Sequence, residues 1–130
     1  MRKTILLLLA LVSGSASAEW VKLASGGNDA DTLYTDPAAI RKAGKSVRVW
    51  SLVDHRQALA DSFGKSHMSE KVQWEYDCKE EKRRMLTYAT FPEHLGQGKA
   101  VYSDSDPGKW EAVSPGADRE SIWKLVCGKK

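Results

Sequence analysis

Cysteine is scarce in this 130-residue chain, which has only Cys78 and Cys127. Their wide separation is not that of a ligand knuckle, which argues against a cysteine-based metal centre. Outside the first eighteen residues there is no long apolar run, so no membrane span is expected. Charge of one sign is not in excess either. The chain has 20 basic and 17 acidic residues, a formal net charge of +3. Setting aside Arg2 and Lys3 lowers this to +1, too little to suggest a nucleic-acid partner. There is no Gly-x-Ser-x-Gly elbow, no glycine-rich phosphate loop, no repeat and no low-complexity run. Histidine occurs three times, as His55, His67 and His94. None has a second ligand at helical spacing, so all three are expected to be solvated loop or strand-end residues. Asp54-His55 and Glu93-His94 set a carboxylate beside an imidazole, but neighbours on a strand point to opposite faces. The expectation is a protein that is not an enzyme and needs neither metal nor cofactor.

What is present begins with a leader. Arg2 and Lys3 form a basic start, Ile5 to Val12 an apolar core and Ala16-Ser17-Ala18 a small-residue cleavage site. Residues 1–18 read as a signal peptide and residues 19–130 as one domain. The cleavage site has no cysteine to accept a lipid. An exported protein of the periplasm or cell surface, not lipid-anchored by its signal peptide, is therefore expected.

The clearest strand is Val72-Gln73-Trp74-Glu75-Tyr76-Asp77-Cys78, where apolar and polar residues alternate strictly. Charged residues crowd positions 79–82, and a second β-rich run to Phe91 makes an antiparallel hairpin. Residues 46–55 predict another strand, with Val47, Val49, Ser51 and Val53 facing the core, since the opposite choice would bury Arg48 and Asp54. Trp50 and Leu52 would then stand on the outer face. Shorter strands are expected near Val21, at residues 32–35, at 99–103 and at 110–113. Asp36-Pro37 opens a single helical turn, and residues 56–69, without a clean period, are expected to form a loop. Residues 119–127 predict a helix with Ile122, Trp123, Val126 and Cys127 on one side, capped by Ser114-Pro115 or Asp118. Strands first and a helix last argue an α+β domain: a single antiparallel sheet of about six strands with a C-terminal helix packed on one face. Two cysteines in an exported chain read more readily as a disulfide than as a metal pair. Pairing Cys78 with Cys127 would tie the helix to the sheet, with Trp74 and Trp123 facing each other beside the bridge.

The chain resembles the surface-adhesin protein E domain family of Gram-negative bacteria. The likeness is carried by Tyr34-Thr35-Asp36, Ile40-Arg41 and Val47-Arg48-Val49-Trp50-Ser51-Leu52-Val53-Asp54. It continues through Ser69-Glu70-Lys71, Glu75-Tyr76-Asp77-Cys78, Trp110, Val113-Ser114-Pro115-Gly116 and Cys127. The resemblance implies a six-stranded antiparallel sheet with a disulfide-tied C-terminal helix. It also implies a surface protein that dimerises and binds host matrix and serum proteins such as laminin, vitronectin and plasminogen.

Two places are candidates for partner contact. Bridging Cys78 to Cys127 would bring Lys129 and Lys130 near Lys79, Lys82, Arg83 and Arg84, concentrating basic groups at one end of the sheet. Such an end could dock a polyanion or an acidic matrix segment, or could simply keep a hairpin turn in water. The Trp50-Leu52 pair is the other candidate. It is either an interface, for a homodimer or a protein partner, or a patch under the 56–69 loop. The expected partner is a host matrix protein or an envelope protein.

Overall fold

The computed structural model describes residues 19–25, 31–61, 63–113 and 117–128. The expected leader, the Ser114-Pro115 cap, Lys129 and Lys130 lie outside the described residues. Among the described residues, eight strands and one helix follow in chain order: β1 (Val21–Ser25), β2 (Thr32–Thr35), β3 (Arg41–Ala43), β4 (Ser46–Ala60), β5 (Ser66–Asp77), β6 (Lys82–Phe91), β7 (Tyr102–Asp104), β8 (Glu111–Ala112) and α1 (Ala117–Cys127). A 3-10 turn at Pro37–Ala39 stands where Asp36-Pro37 predicts one helical turn.

All pairings are antiparallel, and the main path across the sheet runs β1-β2-β4-β5-β6-β7. β3 pairs with the start of β4 while β2 pairs further along it, so these two short strands share one row. β8 and β7 divide the free edge of β6 in the same way. Eight strands thus make six rows, the antiparallel α+β sheet expected from the sequence.

The long hairpin of β4 and β5 is the spine. Val47, Val49 and Ser51 are buried on the face that carries Val72 and Tyr76, as the valine alternation predicts. α1 packs on this face. Leu33, Val49, Tyr76 and Ile122 form the buried core, with Trp74, Trp123, Val126 and Cys127 packed around it. The ring that Trp123 meets is that of Tyr76, with centroids 6.0 Å apart, so Tyr76 stands where Trp74 was expected. The Cys78–Cys127 disulfide closes a sequence separation of 49 residues, a constraint worth roughly 4 kcal/mol in the chain-entropy model. No described helix is long and apolar enough to cross a membrane.

Residues 56–69 are not a loop. β4 runs on to Ala60 and β5 begins at Ser66. The alternation fails there because of a bulge. Register shifts between Asp54 and Leu59, so residues 55–58 stand opposite Met68 alone. A bulge resets which side chains share a face, and a period-2 reading cannot follow it.

Candidate functional site

The basic end of the sheet is built differently from the cluster that the sequence suggests. Lys79 and Lys82 are exposed, flanking the turn between β5 and β6. That turn is held by Asp77, whose carboxylate accepts the backbone N–H of Lys79 and Glu80, while Glu81 takes a left-handed φ of 57°. Arg83 is not free: it is 6 % exposed, its guanidinium lies 3.5 Å from the Trp74 ring centre, and it donates to the Tyr76 hydroxyl. Arg84 donates Nε to Glu75 at 2.8 Å and covers the ring of Trp110. Of the expected contact residues that are described, Lys79 and Lys82 remain open to a partner. Arg83 is part of the packing, and Arg84 is largely committed within the chain.

Glu75 gathers charge on the outer face. It is 5 % exposed and is held by Ser46 Oγ at 2.7 Å, by Arg84, and by Arg48 at 3.5 Å. Burial pushes its carboxyl pKa up, but the Ser46 and Arg84 hydrogen bonds and the Arg84 and Arg48 charges together outweigh it. The pKa lies below the ordinary value of 4.5.

The Trp50-Leu52 pair is not left open. Leu52 is fully buried, and Trp50 is half-buried. The cover over Leu52 is the short turn His94–Gly96. Asp54 accepts the Leu95 N–H at 2.7 Å and contacts His94 Nδ1 at 2.9 Å. Ser69 Oγ accepts the Gly96 N–H and donates to the Glu93 carbonyl. Gly96 has a φ of +71°, and a Cβ there would lie 3.1 Å from Leu52 Cδ1. This close approach explains both the glycine and the loss of Leu52 from the surface.

The histidines depart furthest from expectation. His94 is exposed, but His55 and His67 are 3 % and 6 % exposed. They converge on one oxygen: Glu70 Oε2 lies 2.7 Å from His55 Nε2 and 3.1 Å from His67 Nε2. The second nitrogen of His55, Nδ1, lies 3.0 Å from Asp31 Oδ2. The rings meet edge to face with centroids 5.3 Å apart. Nearby, burial and the Glu70 carboxylate, to which it is hydrogen-bonded, push the Tyr88 hydroxyl up to about 12, so it stays a protonated donor. His55 and His94 thus find their carboxylates on other parts of the chain, whereas His67 meets Glu70 three residues along its own strand. The sequence carries no signal for this cluster: His67 falls in the expected loop, its spacing of three from Glu70 would separate them on a regular strand, and nothing announces the bulge that brings in His55.

The family model described as surface-adhesin protein E matches residues 20–128. Among solved structures, one crystal form of Haemophilus influenzae protein E has a TM-score of 0.66 at 15 % identity, covering 93 % of this chain and 95 % of that one. Another protein E structure from Haemophilus influenzae gives 0.64 at 16 %, covering 92 % and 90 %. Protein E from non-typeable Haemophilus influenzae gives 0.62 at 15 %, covering 93 % and 82 %. No curated protein matches the chain by sequence.

Proposed function

The chain belongs to the surface-adhesin protein E family, and on that premise we propose that it is an exported, non-enzymatic domain that binds a protein partner at the cell surface. Host matrix or serum proteins are the class of partner that family membership suggests. The observation that carries this reading is the extent of the match, from residue 20 to residue 128 of 130. The docking end in this reading is the β5–β6 turn with the exposed Lys79 and Lys82.

A specific observation favours a second reading, a soluble periplasmic accessory protein with an envelope partner. Arg83 and Arg84 are engaged inside the chain, which thins the basic end that an acidic matrix segment would meet.

Two measurements separate the readings. Protease shaving of intact cells, set against an osmotic-shock fraction, locates the protein. Removal by shaving is expected for an adhesin, whereas survival with release into the periplasmic fraction supports the accessory role. In capture on immobilised matrix proteins, Lys79→Glu with Lys82→Glu is expected to lower binding about five- to tenfold at low ionic strength and leave Tm unchanged. Undiminished capture would take the basic end out of the contact.

A further inference from the structure

The His55, His67 and Glu70 cluster carries chemistry that partner binding does not use. We propose that these three side chains form a site for one divalent transition-metal ion of the zinc class, with its fourth position open to water or to a ligand from outside.

The argument starts from hydrogen counting. A neutral imidazole has one N–H. His55 faces a carboxylate oxygen with each nitrogen, Glu70 at 2.7 Å and Asp31 at 3.0 Å. In the neutral ring, one of these contacts sets lone pair against lone pair. That clash is relieved by one more proton in the cluster or by a metal shared by His55 Nε2, His67 Nε2 and Glu70 Oε2. The donor set suits the metal. Two imidazole nitrogens and one carboxylate oxygen form the three-ligand set of open zinc sites, and the three donor atoms lie within 4.8 Å of one another.

Distances support this assignment. Donors about 2.1 Å from a tetrahedral ion stand roughly 3.4 Å apart. The two nitrogen-to-oxygen separations, 2.7 and 3.1 Å, would open by about 0.7 and 0.3 Å to reach that spacing, and the two nitrogens lie within 4.8 Å of each other. Asp31 is placed as the outer partner that orients a ligating imidazole through its other nitrogen. His55 Nδ1 lacks an aligned hydrogen-bond partner among the described residues, and a small ring rotation toward a metal at Nε2 would align it with Asp31. The imidazoles are buried, while the Glu70 side chain is 20 % exposed, which leaves a way in from solvent.

The test uses the full, untagged protein, stripped with a chelator and titrated with Zn²⁺ by calorimetry and with Co²⁺ by visible absorption. One equivalent per chain is expected, with the intense ligand-field band of a tetrahedral Co²⁺ site. Binding should be lost in His67→Gln and in Glu70→Gln, weakened about ten- to a hundredfold in Asp31→Asn, and retained in His94→Gln. No saturable binding, or wild-type affinity in both His67→Gln and Glu70→Gln, overturns the site. Should those variants not fold, the imidazole nitrogen resonances of the unaltered protein decide. Zn²⁺ is expected to shift Nε2 of His55 and of His67, whereas a doubly protonated His55 that ignores zinc would leave the cluster as a proton site only.

Discussion

Arg83 and Arg84 are neighbours on β6 with opposite fates, because successive side chains of a strand leave on opposite faces. Arg83 turns to the core side and lies against Trp74 and Tyr76. Arg84 turns outward to Glu75, its register partner on β5. Strand alternation puts Glu75 on the outer face, which is where it lies, yet it is buried there. Arg48, Arg84 and Ser46 close over it from the flanking strands, and register between strands is not written in one strand's pattern. Because the folded Glu75 pKa is below 4.5, its contribution to stability is complete above that value and is lost as pH falls through the folded pKa. Glu75→Gln is therefore expected to cost roughly 1–3 kcal/mol at neutral pH, as loss of charge-assisted hydrogen bonds does. Its thermal stability should vary less than that of the unaltered chain on acidification below about pH 4.5. Equal acid sensitivity in the two proteins would assign the effect to other carboxylates.

At the scale of elements, the turn His94–Gly96 does more than join β6 to β7. Leu95 holds a left-handed φ of 56°, a conformation that a branched side chain adopts at a cost. Asp54 offsets it by accepting from the Leu95 backbone and pairing with His94. Asp54→Ala should release the turn and uncover Leu52. A loss of roughly 1–3 kcal/mol is expected, with faster amide exchange at Leu95 and Gly96 while β5 stays protected. Unchanged exchange at those two amides would mean that Ser69 alone holds the turn. Nothing near Leu52 in the sequence announces this cover, which arrives from more than forty positions away. By contrast, residues 72–77 of β5 and residues 119–127 of α1 were legible because each stretch keeps one period, while β6 was legible only as a β-rich run, since the register shifts between Met85 and Thr87.

Across the whole molecule, the sheet-and-helix layering was legible from strand order and the two cysteines, while the histidine cluster was not. Layering depends on average hydrophobic pattern, whereas the cluster depends on one bulge and on pairing across a hairpin. The staple has a consequence of its own. α1 has eleven residues, too short to persist in water unaided, and among its described side chains Ile122 is the buried core member. The sheet keeps its ladders without the helix, because β4, β5 and β6 pair only with strands. Cys78→Ser with Cys127→Ser should therefore lower stability by roughly 2–4 kcal/mol in an uneven way. Amide protection in α1 is expected to collapse first, with Trp123 fluorescence shifting toward that of solvent-exposed indole, while the centre of β4 and β5 stays protected. Simultaneous loss of protection in helix and sheet would show instead that core packing at Ile122 couples them without the bridge. The disulfide would then act on the unfolded chain alone.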